Sequence, residues 1–145
     1  MDVVGMLGGV GWLGPCWVML GHVSGDDADS LTEKILSEGA TWSTWYPTKN
    51  NAEWAKLGDS GQAAVLKEHG AVARPFVENS GIDFVRLSSH GIDAEGNHQV
   101  FGLLADSLKN ISDLQQAMAG TAQVNQYSEK SGPVFIGRRI WQQPE

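Results

Sequence analysis

The chain has 145 residues, of which 41% are hydrophobic and 19% charged, enough for one globular domain with its own core and too apolar for a disordered chain. Seventeen acidic against ten basic residues give a net charge of −7, and with no Lys/Arg cluster this argues against nucleic acid or an anionic membrane surface as partner. A single cysteine, Cys16, excludes an internal disulfide.

Residues 1–20 are apolar and Gly-rich but lack a basic leader, and Gly8, Gly9, Gly11, Gly14 and Pro15 interrupt any spanning helix. Residues 1–14 therefore read as a loose lead-in to a single domain covering 1–145, with the cytoplasm as the default location. An apolar run over 16–23, closed by Ser24-Gly25-Asp26-Asp27, predicts a buried strand. A helix follows, with Asp26 or Asp27 as cap, Ser30 and Glu33 as a capping box, Leu31 and Ile35 one turn apart, and Gly39 as its stop. Residues 41–46 are β-branched and aromatic, a strand that Pro47 is expected to end.

From Asn51 to about Phe76 the pattern predicts a helix in two pieces, broken near Gly58 and ended by Pro75. Val65, Leu66, His69, Val72, Ala73 and Phe76 form one apolar stripe on it. Residues 82–87 and 99–105 read as paired strands around a polar loop containing Asp93-Ala94-Glu95-Gly96-Asn97. Asn110 or Ser112 opens another helix, with Ile111, Leu114 and Met118 on one face, and residues 133–140 form the last strand. The order predicts an α+β fold with an antiparallel sheet and helices on one face, close to a ferredoxin-like layout.

Few residues invite chemistry. His69 lies on the apolar stripe, where a histidine is more often structural than ligating; a haem pocket nevertheless needs a neutral imidazole on a rigid helix within apolar walls. Arg86 interrupts an apolar strand on the same face as Phe84, so it is either solvated, paired with a carboxylate such as Asp83, or reserved for an anionic ligand. Six tryptophans suit core or subunit contacts, and more weakly a flat aromatic ligand. His90, Asp93, Glu95 and His98 read as a solvated loop rather than a metal site, and Ser88-Ser89-His90 makes no triad.

Four segments in order resemble the chlorite dismutase family, which includes the coproheme decarboxylases, over about residues 42–140. They are Trp45-Tyr46-Pro47-Thr48-Lys49; Glu53-Trp54 leading to Leu66-Lys67-Glu68-His69-Gly70; Phe101-Gly102-Leu103-Leu104-Ala105-Asp106; and Tyr127-Ser128-Glu129 with Gly132-Pro133-Val134-Phe135-Ile136-Gly137. The resemblance implies a dimeric α+β barrel type of fold and haem b as cofactor. It makes His69 the axial iron ligand, places Tyr46 and Lys49 near the propionates and Trp54 along the pocket, and makes Arg86 the distal arginine. The implied function is an oxidoreductase decomposing chlorite to chloride and dioxygen, or acting on peroxide, in a homo-oligomer (dimer or pentamer). A coproheme decarboxylase and a haem-free dimeric barrel serving binding or structure are the competing readings.

Three departures stand out. The first of the family's two ferredoxin-like halves is shortened here. Lys49 follows Tyr46 by one position fewer than in the decarboxylases. The Glu that partners the family's proximal histidine falls about where this chain has Ala122-Gln123.

Overall fold

The computed structural model describes residues 27–89 and 96–140. The predicted strand over 16–23, Cys16, His22, and the loop residues His90, Asp93 and Glu95 lie outside these. In order come α1 (Asp27–Leu36), β1 (Trp42–Asn50), α2 (Ala52–Lys56), α3 (Gly58–Ser80), β2 (Asp83–Ser88), β3 (Gln99–Ala105), α4 (Leu108–Met118), α5 (Ala122–Tyr127), β4 (Ser128–Ser131) and β5 (Phe135–Arg138). The strands form one antiparallel sheet in the order β2-β3-β1-β4, with β5 also on β1. The fold is α+β and ferredoxin-like, as expected, but the helices are not confined to one face: α1 packs on the side of the sheet opposite α3 and α4. No helix among the described residues is long and apolar enough to cross a membrane.

Alternation sorts the sheet into two faces. On one, Leu103 and Ala105 meet Ile111 and Leu114 of α4, with Trp42, Tyr46, Ala73, Phe76 and Met118 packed around them. On the other, Val85 and Leu104 meet Ala40, with Ile35 of α1, Trp45 and Leu87 alongside. Short polar clamps fix the helix ends. Arg139 donates to the carbonyls of Ser37 and Glu38 at 2.7 Å each, where α1 ends. Asn110 donates to Ser80 O, at the C-terminus of α3.

Both prolines expected to end an element lie inside one. β1 runs through Pro47 because its outer edge changes partner there: β5 pairs with Trp42–Trp45 and β4 with Thr48–Asn50. The N and O of one strand residue point to the same side, and Pro47 O accepts Gly132 N–H at 2.9 Å. The missing N–H thus faces the junction between the two partners, where no ladder bond is lost. α3 likewise passes Pro75 and stops at Gly81, whose φ of 59° is a left-handed helix end. Pro75 and Ala71, whose carbonyl the proline ring deprives of a donor, are both exposed, so water can serve that carbonyl. Packing of Ala73 and Phe76 on either side of the proline outweighs the local cost, about 3 kcal/mol.

Other bounds shift by a few residues. α4 starts at Leu108 rather than Asn110 or Ser112, and α1 already includes Ser30, so Ser30 is not its cap. The short elements α5 and β4 carry no apolar period and were not expected.

Candidate functional site

α3 sets the central side chain. Its Ala73 and Phe76 pack on the core, and His69 lies one turn earlier on the same stripe, half-buried. The predicted stripe is thus only partly covered: no α3 residue is fully buried, and Leu66 is 40% exposed. His69 Nδ1 is 2.9 Å from Thr121 Oγ1, and that hydroxyl donates to Met118 O at 2.8 Å. A threonine has one hydroxyl proton. Where that proton goes to Met118 O, the oxygen is left to accept from His69, an order that puts the ring hydrogen on Nδ1 and the lone pair on Nε2. Burial pushes the imidazole pKa below its ordinary value, and the neighbouring Glu68 carboxylate partly opposes this. A neutral imidazole with a free Nε2 is the form a metal requires.

Neither Ala122 nor Gln123, which stand about where the resemblance puts a Glu, is the hydrogen-bond partner of the ring; Thr121 takes that place. Gln123 is half-buried and its Oε1 has no hydrogen-bond partner among the described residues. The Glu68 carboxylate accepts Ala122 N–H at 3.3 Å. Two consecutive residues of α3 therefore tie it to the α4–α5 junction. The sequence did not single out Thr121; its only signal was a position one residue before Ala122-Gln123, where the family carries its Glu.

The sheet carries a second set of candidate residues. Tyr46 pairs with Phe101, their rings stacked at 6.0 Å, and Phe101 pairs with Arg86. These three side chains form one row across three strands, on the face that α3 and α4 cover at its other end. Leu103 and Ala105 are buried there, whereas Phe101 is half-buried and Arg86 exposed, so the helical cover ends at this row. Burial raises the Tyr46 phenol above its ordinary 10 and keeps it protonated at neutral pH. Alternation puts Asp83 on the opposite face from Arg86, and Arg86 has no ion pair among the described residues.

The other candidates lie apart from that row. Lys49 is on the opposite face of β1 from Tyr46 and pairs with Glu129 at 3.2 Å. Trp54 meets Tyr127 edge-on at 5.8 Å. Asn51 caps α2 beneath it, accepting from Glu53 and Trp54 N–H and donating to Gln126 O. His98 Nδ1 accepts Asn50 N–H, and no group of three or more metal-binding side chains occurs among the described residues.

A groove of about 240 Å³ separates α3 from β2, lined by Gly70, Ala73, Arg74, Val77, Glu78 and Phe84. A Cβ on Gly70 would meet nothing within 4 Å, so the backbone beside His69 is open on this flank. Small-molecule pockets usually span about 300–1,000 Å³, so the groove by itself is too small for a whole macrocycle. His69 is not among the residues that line the groove, and the donor chemistry of His69 is what fits a haem iron.

The sequence matches the chlorite dismutase family profile over residues 26–140. No curated protein matches it. Among solved structures it is similar to a novel haem-binding protein from Thermus thermophilus, at 18% identity and a TM-score of 0.62, over 69% of this chain and 40% of that one. It is also similar to chlorite dismutase from Candidatus Nitrospira defluvii in complex with imidazole, at 20% identity and a TM-score of 0.62, over 76% and 46% of the two chains. A mutant of that enzyme in complex with cyanide aligns at 19% identity and a TM-score of 0.63, over 77% and 46%. The likeness at these identities is one of fold, and this chain spans less than half the length of each of the three.

Proposed function

The chain belongs to the chlorite dismutase family, and from that premise we propose that it is a haem b oxidoreductase with His69 Nε2 on the iron and chlorite, or a peroxide, as substrate. The observation that carries this reading is the contact of His69 Nδ1 with the buried Thr121 hydroxyl, which occupies one ring nitrogen and leaves Nε2 for a ligand. Bound haem would supply a Lewis-acidic, redox-active iron at which chlorite is converted to chloride and dioxygen.

The chain's own residues have distinct tasks in this reading. His69 would hold the iron from a helix that two consecutive residues tie to the α4–α5 junction. Tyr46 and Phe101 present stacked aromatic surface, and Tyr46 stays neutral, so the site carries no anion there to repel chlorite. Arg86, exposed on the same row, binds the anion through charge-assisted hydrogen bonds. Trp54, edge-on to Tyr127, serves as a boundary wall. The decarboxylase alternative rests on Tyr46 and Lys49 acting together near the propionates, and their placement on opposite faces of β1 gives it less support. A homo-oligomer belongs to the same proposal, supported by Phe84, Val134 and Ile136, which are 48–59% exposed.

Titration with haemin tests the reading. Wild-type protein should develop a Soret band and release dioxygen from chlorite, and His69→Ala should lose or shift the band. Identical spectra from the two proteins would remove His69 from the role.

A further inference from the structure

Thr121 occupies the N-cap position of α5, where a threonine hydroxyl ordinarily accepts a backbone N–H from the first turn. It makes no such capping bond. The side chain is almost wholly buried, at 1% exposure, and its oxygen is used elsewhere, donating to Met118 O and meeting His69 Nδ1. The neighbouring Ala122 N–H is instead taken by Glu68 of α3. A capping residue relieved of capping, with both its donor and acceptor roles assigned, acts on the histidine.

We infer that Thr121 is a positioning residue for His69, holding the imidazole as the Nδ1–H tautomer with Nε2 unprotonated before any ligand arrives. Its purpose rests on the haem reading, but the inference concerns the apoprotein and is decided there. The proton order is set by three groups in series. Met118 O accepts both the Thr121 N–H, at 3.0 Å, and the Thr121 hydroxyl, at 2.8 Å. The hydroxyl oxygen then accepts from Nδ1. Without the hydroxyl, Nδ1 loses its acceptor, and the two tautomers compete on their own energies, with the ring free to turn.

The test is long-range ¹H–¹⁵N correlation of the apoprotein above the titration range of the imidazole. In the wild type, His69 Nδ1 should resonate as a protonated and Nε2 as an unprotonated nitrogen. Thr121→Ser keeps the hydroxyl and should keep that pattern, while Thr121→Val, similar in shape, should move both resonances toward averaged values. A wild-type Nε2–H tautomer overturns the inference, as does an unchanged pattern in Thr121→Val. Should the valine variant fail to fold, the wild-type and serine spectra still decide the matter.

A second readout separates this inference from the proposed function. Haemin affinity should fall about 10–100-fold in Thr121→Val and stay near wild type in Thr121→Ser, the usual size of an effect through a ligand's hydrogen-bond partner. Absence of haemin binding by the wild type would refute the haem reading, with the nitrogen resonances still ruling on Thr121. Equal affinity in the valine and wild-type proteins overturns the positioning role.

Discussion

The ring of Trp45 lies flat against Gly102 on the neighbouring strand, so close that a Cβ there would stand 2.5 Å from it. The indole can therefore pass over β3 towards Val85, which pairs with Gly102 from the other side and is fully buried. Gly102→Ala should destabilise the protein by about 1–3 kcal/mol through overpacking, read as a lower midpoint in urea at unchanged slope. Alanine normally gains over glycine in a strand, so a neutral or stabilising result would show that Trp45 has room to move.

That contact also explains how much of the protein was legible in its sequence. The segments around Trp45-Tyr46-Pro47 and Phe101-Gly102 face each other as Trp45↔Gly102, Tyr46↔Phe101 and Pro47↔Val100. Gly132 binds Pro47 O, and Glu129 binds Lys49. Motifs far apart in the chain thus converge on one strand, and they were read through their resemblance to the family's segments. The stripe through His69, Ala73 and Phe76 was readable from its helical spacing alone. Pro47 and Pro75 misled because their cost is local, whereas the strand exchange at Pro47 and the core contacts around Pro75 are tertiary. Thr121 was illegible. Its role depends on which of two oxygens and nitrogens holds a proton, 52 residues away in the chain, and no periodicity encodes that.

Arg86 separates stability from chemistry. It is exposed, on the edge strand β2, and its Cα partner is Phe101. Arg86→Ala should alter unfolding free energy by no more than about 0.5 kcal/mol, as for other surface substitutions. In haemin-loaded protein it should slow chlorite turnover about 10²-fold, the order of losing one donor to a developing oxyanion, with the Soret band retained. Dioxygen release at the wild-type rate would free Arg86 from the anion site.

Tyr46 gives a pH dependence with a definite sign. Burial raises its folded pKa above the ordinary 10, so the native state holds the phenolic proton more firmly than the unfolded chain does. The stability linked to this group is complete below pH 10 and is lost as the pH rises from there through the folded pKa. Lysines titrate in the same range, so the measurement is a comparison. Tyr46→Phe should lose less stability than the wild type between pH 9.5 and about 11 in parallel denaturant titrations. Parallel curves for the two proteins would mean the phenol is solvated in the native state.

The acceptor on His69 should also set the electronic character of the site. Thr121 Oγ1 is a neutral acceptor whose own proton goes to Met118, so it draws on the Nδ1–H bond weakly and leaves the imidazole an ordinary neutral donor. A carboxylate in the same place would pull harder, make Nε2 more basic and favour ferric over ferrous iron. In haemin-loaded protein, Thr121→Asp should lower the Fe(III)/Fe(II) midpoint potential relative to wild type. A tenfold change in that preference corresponds to about 59 mV for a one-electron couple. Thr121→Ser, which preserves a neutral hydroxyl, should leave the potential where it was. A potential unmoved by aspartate, or raised by it, would mean that the imidazole does not pass the character of its partner on to the iron.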